Sequence, residues 1–435
     1  MPTTFRKVSC CPANEASGRS SAVAELRTAK LACALPAAAQ ATLPGADLSG
    51  LLALARERNP DVASMRSEAQ AAAERVTPAG AFPDPRFRVE LMDITRMGEQ
   101  SPSLWPSNVG GTKYTLTQEL PWFGKRDLKR DIASLDAQGK ARSSWFEVAA
   151  KVKVAQAQRQ ALHGNRTVVV EILALMVQLE KIAQARYAGG LAAQQDVIRA
   201  QVEQTNMRSE LLNIDSELRQ ANARLNALLA RPPSAPLAYA AGGRPWPARA
   251  QLELNSLETR VRERNPQLFT DEARVKSAQK GVDLAFLNRI PDFMVGIQPT
   301  QYQTSFKEWT VMLEVNIPLQ QETRRAQERE SQAMLDAARA RQEATAQQLL
   351  SELAEQLAAL EAAGHVEALV RDSLLPKAEL TFQSALASYE VTKVDFATLL
   401  DAQRQIRQAR QSLIRAQQEA QIRLAEIEKL TGDEP

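Results

Sequence analysis

Four short stretches of the chain alternate apolar and polar residues with a period of two, and the long tracts between them repeat apolar residues at three- and four-residue spacing. In Arg86 to Leu91, Phe87, Val89 and Leu91 stand on one side against Arg86, Arg88 and Glu90; Tyr114 to Leu120 alternates less sharply through Leu116 and Leu120. A second pair is cleaner: Phe293, Val295 and Ile297 share a side, and Trp309, Val311, Leu313, Val315 and Ile317 oppose Thr310, Met312, Glu314 and Asn316. Successive strand residues point to opposite faces, so strands are expected at about 86–94, 114–122, 292–299 and 308–318. This alternation fits transmembrane β-strands with an apolar lipid side and a polar lumen side. A half-buried soluble sheet gives the same pattern. Thr95 to Thr112 and Gln298 to Lys307 read as the hairpin loops.

The other tracts read as helices of coiled-coil character. Leu350, Leu353, Leu357 and Leu360 keep heptad spacing, as do Leu211, Ile214, Leu218, Ala221, Leu225 and Leu228. Long helices are expected at about 124–187, 193–229, 322–389 and 395–431. Pro121 to Tyr187 alone would reach roughly 100 Å at about 1.5 Å per residue. Gly164 and Pro376 are the expected breaks.

The elements recur in order. Arg56-Glu57-Arg58-Asn59-Pro60 returns as Arg262-Glu263-Arg264-Asn265-Pro266, and Pro85, Phe87 and Val89 as Pro291, Phe293 and Val295. Further on Pro121 answers Pro318, Tyr187 answers Tyr389, and Ala200-Gln201 answers Ala402-Gln403. The chain therefore divides into a poorly structured N-terminus or signal remnant (1–41), a first repeat (42–229), a Pro/Gly-rich linker (230–250) and a second repeat (251–435).

Composition narrows the partners. With 54 basic and 51 acidic residues the net charge is only +3, and no basic block is interleaved with aromatics, which speaks against nucleic acid. Cys10, Cys11 and Cys33 all precede the first convincing helix, so the body has neither a disulfide framework nor a thiolate metal site. No apolar run reaches the roughly 18 residues a membrane-spanning helix needs. Arg27, Lys30, the apolar stretch from Leu31 to Ala39 and Ala39-Gln40-Ala41 form a weak export signal, which an alanine-rich tail would also explain. Lys7 and Lys30 stand where a lipidated Cys10 or Cys33 would need an aliphatic residue.

Catalytic chemistry is hard to find. His163 and His365 are the sole histidines and lack partners at ligand spacing, so each is read as helix surface. Gly189-Gly190 is a turn, since no Lys-Ser/Thr follows it. No catalytic, cofactor-binding or metal-ligating set is assigned.

The two copies of helix, hairpin and paired long helices resemble the TolC-like outer-membrane factor family from about Leu48 to Gly432. The resemblance is carried by the Arg-Asn-Pro helices, by Gln118-Glu119-Leu120-Pro121-Trp122-Phe123-Gly124-Lys125-Arg126 at the strand-to-helix junction, and by the segments after Tyr187 and Tyr389. Within the family, the Pro-Trp-Phe-Gly-Lys junction and Val394-Asp395-Phe396 to Leu400 look most like the heavy-metal efflux branch. The resemblance implies a mostly α protein with a transmembrane β part, whose homotrimer closes a twelve-stranded barrel over a periplasmic helical barrel. It implies a passive exit duct in the Gram-negative outer membrane, working with a periplasmic membrane-fusion adaptor and an inner-membrane resistance-nodulation-division pump. A multidrug or type I secretion duct, or more remotely a soluble coiled-coil scaffold, are the alternatives. Phe87, Val89, Leu91, Val295, Ile297, Val311, Leu313 and Val315 would face outer-membrane lipid. Tyr187, Gly189, Gly190, Leu191, Tyr389, Thr392, Lys393 and Val394 would form adaptor-docking tips, the two tyrosines reading there as packing residues more than as ligands, with Asp196, Asp395 and Asp401 at the channel entrance unless they are ordinary solvated aspartates. Thr392 stands where the family carries a turn glycine.

Overall fold

The computed structural model describes residues 44–99, 101–141, 145–239, 244, 247 and 252–433, all in the unit Leu43–Pro435. The three cysteines and the export-signal segment lie outside them.

Each half opens with short helices punctuated by Asn-Pro. Helices α1 (Leu48–Arg58) and α2 (Pro60–Glu74) meet at Asn59, and a further turn, α3 (Val76–Ala79), leads to strand β1 (Arg86–Met92). After β2 (Gly111–Leu120) come α4 (Lys125–Ala141), α5 (Trp145–Ala188) and α6 (Gln194–Leu228). The second half runs α7 (Leu254–Arg264), α8 (Pro266–Leu287), β3 (Asp292–Tyr302), β4 (Ser305–Asn316), α9 (Gln321–Leu369), α10 (Leu375–Glu390) and α11 (Phe396–Thr431). Pro at the first helical position costs no hydrogen bond there, which is why both Asn-Pro pairs restart a helix.

The strands form one antiparallel sheet in the order β1-β2-β3-β4. β3 and β4 run closer to their turn than alternation suggested. Tyr302 pairs with Ser305, leaving only Gln303, at φ 56°, and Thr304 between them. A register shift beside Thr300 and Gln301 absorbs Lys307, which is why the alternation there looked like a loop. The wider first loop hangs on Asp93, whose carboxylate accepts from the Met97 N–H at 2.8 Å and whose carbonyl accepts from Gly110 at 3.0 Å.

Three apolar clusters organise the helices. α1 packs Leu51, Leu52 and Ala55 against Val152 of α5 and Leu225 of α6, and α7 packs Leu257 and Val261 against Leu353 and Leu360 of α9 and Leu430 of α11. The third cluster joins α5, α6, α10 and α11 through Ile172, Met176, Met207, Phe382, Phe396 and Leu399. Ile214, Leu218, Ala221 and Leu225 are buried, with Leu211 and Leu228 at the margin. On α9 the buried position is Leu349, and Leu350 lies beside the seam.

Of the two expected breaks, one is absent. α5 passes straight through Gly164, where a Cβ would come within 3.3 Å of Ile414 Cδ1, so the glycine permits close packing on α11 instead of bending the helix. Before Pro376 the helix widens into a π-turn at Val370–Leu374, because proline supplies no N–H and crowds the carbonyl four residues back.

The linker is fastened to the helices by buried charge. Arg159, 1% exposed, donates to the carbonyls of Leu237 (3.2 Å) and Ala238 (2.6 Å) and to Asn222 Oδ1 (2.8 Å). Glu428 of α11 accepts from Lys153 of α5 and Arg244 of the linker, each at 2.7 Å; these bonds outweigh burial and hold its carboxyl below the usual range.

Candidate channel elements

Register divides the sheet into two unlike faces. Phe87 pairs with Leu116, Leu116 with Ile297 and Ile297 with Val311; Val295 pairs with Leu313 and Phe293 with Val315. All eight residues expected to face lipid therefore share one side, and Val311 and Leu313 are 81% and 70% exposed. Phe87, Tyr114, Phe306 and Trp309 form a chain of rings across this face toward the hairpin ends. Trp122 packs on Phe293 and Phe123 at the opposite, helix end. The other face carries Arg86, Arg88, Glu90, Lys113, Glu119, Glu308, Thr310 and Glu314, with Arg86 bonded to Glu119 at 2.8 Å. The outer edges of β1 and β4 have no strand partner within the described residues.

At the junction of sheet and helices, Lys125 of the Pro-Trp-Phe-Gly-Lys motif is buried. Its ammonium donates to Asp292 Oδ1 and the Ile290 carbonyl, each at 2.8 Å, and Asp292 also accepts from the Trp122 N–H at 2.7 Å. The motif is thus a clamp between the halves, with Gly124 at φ 85° making the bend.

At the far end α5 closes with Leu191 N–H donating to the Arg186 carbonyl at 2.8 Å and Gly190 in the left-handed region at φ 70°. The second tip builds the same turn, Lys393 N–H to the Ser388 carbonyl at 2.8 Å, with Thr392 at φ 63° in the glycine's place. A β-branched residue is costly there. Arg186 offsets part of that cost: it crosses from α5 to donate to the Thr392 hydroxyl at 2.9 Å and the Glu390 carbonyl at 2.5 Å, and lies over the Tyr389 ring. Sequence reading missed Arg186; one arginine among many in charged helices gives no signal.

The tip residues do not all lie at the surface. Tyr187, Gly189, Gly190, Leu191, Thr392 and Lys393 are exposed, whereas Tyr389 is 3% exposed, packed on Phe396, and Val394 is half-buried against the same cluster. Tyr389 and Val394 are therefore core beneath the tip, not docking surface. The three aspartates also differ. Asp395 caps α11, accepting from the Thr398 N–H at 3.0 Å and its hydroxyl at 2.5 Å, which lowers its pKa. Asp401 is exposed and bonds Arg404 at 3.3 Å. Asp196 is half-buried, and burial, reinforced by Asp395, raises its pKa against the pull of Arg199 and Arg186. The Tyr389 hydroxyl is buried without a well-formed hydrogen bond, near enough to Asp196 that burial and this carboxylate raise its own pKa.

His163 is not helix surface: it is half-buried with its ring centroid 4.1 Å from that of Tyr239, and burial lowers its pKa. His365 is exposed. Among the described residues no group of three His, Cys, Asp or Glu could hold a metal, and no helix is long and apolar enough to cross a membrane.

The sequence matches the family model for outer membrane efflux protein twice, over residues 51–231 and 257–433. No curated protein matches it. Similar solved structures include the outer-membrane channel OprN (18% identity, TM-score 0.74, covering 88% of this chain and 89% of that one). CusC aligns at 17% identity and TM-score 0.76 over 88% and 92% of the two chains. VceC from Vibrio cholerae aligns at 17% and 0.75 over 88% and 96%. With both halves matched over nearly their whole length, the chain belongs to the outer membrane efflux protein family, the TolC-like channels of the Gram-negative outer membrane, and is a passive channel and not an enzyme.

Proposed function

We propose that three copies close their sheets into one twelve-stranded barrel and extend their helices into the periplasm as the tunnel of a tripartite efflux system. The observation that carries this reading is the four-stranded sheet with one apolar face, one charged face and two open edges. Open edges are not tolerated in lipid, and four strands fall short of the about eight that the smallest membrane barrel needs. Residues 42–229 and 251–435 serve as the two repeats of each subunit, joined by the linker at 230–250. The exposed tip residues Tyr187, Gly189, Gly190, Leu191, Thr392 and Lys393 meet a periplasmic membrane-fusion adaptor, which couples the duct to a resistance-nodulation-division pump. Asp196 and Asp401, repeated by three-fold symmetry, ring the entrance and attract cations; Asp395 acts there through its cap on α11.

Heavy-metal cations are the proposed cargo, supported by the likeness of the Pro-Trp-Phe-Gly-Lys junction and the Val394 to Leu400 segment to that branch. The test is growth of a deletion strain on copper, silver, zinc and cobalt salts and on dyes and antibiotics. Sensitivity to metal salts alone supports the assignment. Sensitivity to dyes and antibiotics alone gives the duct to a multidrug pump, and loss of a secreted protein gives it to type I secretion. For the entrance, Asp196→Ala with Asp401→Ala is expected to lower cation selectivity of single channels in planar bilayers. Unchanged conductance and selectivity would leave the tips as docking surface only.

A further inference from the structure

We infer the register in which one copy's β4 joins the next copy's β1, and with it an ion pair between Glu314 and Arg88 across that seam. The inference rests on the reading that three copies share a barrel. Neither edge has a strand partner among the described residues, and in a four-stranded meander β4 of one copy runs antiparallel to β1 of the next. Their charged faces are complementary: Arg88 is 73% exposed and reaches only Glu90, at 3.4 Å, while Glu314 is exposed and forms no ion pair among the described residues. Arg86 is already held by Glu119.

The register follows from heights within the sheet. A line perpendicular to the strands runs from Arg86 to Thr117, Gly296 and Met312. It starts at the helix-side end of β1 and arrives four residues above Asn316, the helix-side end of β4. The next β1 is level with it when Glu90, four residues above its own Arg86, stands opposite Met312. Three such climbs sum to about twelve residues; at about 3.3 Å per residue and about 4.7 Å per strand, twelve strands then tilt by about 35°, as closed barrels require. A slip of two residues that sets Glu90 opposite Thr310 halves the climb and leaves the strands at about 19°, too upright for a closed barrel. The opposite slip sets Glu90 against Glu314, like charges directly opposed.

In the inferred register Glu314 faces Arg88, Asn316 faces Arg86, and Val315, Leu313 and Val311 face Phe87, Val89 and Leu91. The apolar belt then continues unbroken around the barrel. The pair lies on the charged face, in water, so its contribution is to selecting the register more than to holding the copies together.

The test uses the full-length protein with Cys10→Ser, Cys11→Ser and Cys33→Ser, carrying Glu90→Cys with one of Met312→Cys, Thr310→Cys or Glu314→Cys. Only opposed cysteines come within the about 7 Å between Cα atoms that a disulfide spans. Met312→Cys is expected to give reductant-sensitive covalent trimers on oxidation, and the other two are not. Preferential cross-linking in either of the others, or in none while native mass spectrometry shows trimers, overturns the register alone. Monomers in native mass spectrometry overturn the trimeric reading and the register with it. Arg88→Glu sets two glutamates directly opposite each other across the seam and is expected to reduce SDS-resistant trimer severalfold by that repulsion, and Arg88→Glu with Glu314→Arg to restore it; no loss in the single variant, or failure of the reversal, removes the ion pair.

Discussion

Asn59 and Asn265 perform the same two tasks in the two halves of the chain. Each side-chain oxygen caps the helix that follows, accepting from the Asp61 and Val62 N–H groups in one case and from Gln267 and Leu268 in the other. Each side-chain nitrogen donates at 2.8 Å to a carbonyl near the end of a long helix, Leu228 or Leu430. One residue thus starts a short helix and receives the end of a long one.

The two tasks can be separated. Asn265→Asp keeps the cap and loses the donor; Asn265→Ala loses both. A lost cap costs about 0.5 to 2 kcal/mol, and a buried carbonyl left without its donor about 1 to 3 kcal/mol. Urea unfolding in detergent is expected to rank native above Asp above Ala, with Asn59 behaving alike.

At the second tip, Thr392→Gly relieves a left-handed residue but removes the hydroxyl that Arg186 reaches. Thr392→Ala removes the hydroxyl and keeps the strain. The glycine variant is expected to exceed the alanine variant by about 1 kcal/mol in thermal unfolding of the tip, followed by hydrogen exchange.

If Asp196 lines the entrance as proposed, it gives that entrance a pH dependence with a definite sign. Its folded pKa is raised, so the ionised form is disfavoured in the folded protein, and that penalty is relieved as pH falls through the raised value. Single-channel cation selectivity is expected to fall on acidification, beginning above the ordinary aspartate value of about 3.9. Asp196→Asn should remove this step.

The sheet and the helix seams respond to different insults. Val311→Arg or Leu313→Arg is expected to destabilise the proposed barrel by about 2 to 4 kcal/mol if the site lies near the bilayer midplane, while Thr310 tolerates change. Leu353→Ala, at a site with no exposure, should cost about 2 to 5 kcal/mol, with Leu357→Ala and Leu218→Ala toward the lower end. Thermal unfolding in detergent checks both sets.

Much of this fold could be read from the chain because its periodicities are long and physically distinct. A strand that is apolar on one side, such as Trp309 to Ile317, and a seam such as Ile214 to Leu225 leave periods of two and of three and four residues that separate strand from helix over that length. Shorter features were illegible for local reasons. The turn at Gln303 and Thr304 carries no glycine, asparagine or proline, and the register shift at Lys307 breaks the alternation just where the strand should have been recognised. At the tips, equivalent tyrosines have unlike surroundings: Tyr187 is exposed while Tyr389 lies beneath Arg186 and against Phe396. Spacing places both at a tip; only packing tells which one a partner can touch.

The π-turn at Val370–Leu374 bears on where the tract from α9 to α10 can change length. Buried positions upstream, Leu349, Leu353, Leu360, Ala363, Glu367 and Val370, follow one heptad phase from which Leu357 departs by one residue, and Ala378, Phe382, Ala385 and Tyr389 resume it one residue late. The widened turn is the size of that extra residue, as if a single amino acid had been inserted and the surplus gathered into one loop of the helix. Removing Ser373 should therefore take up the surplus residue with both stripes still facing their neighbours, while Pro376 continues to withhold one helical hydrogen bond. Removing a residue from the regular stretch above it would rotate everything below by about 100° and expose Phe382. The tract carries a splice point where its sequence can be shortened without being re-aimed.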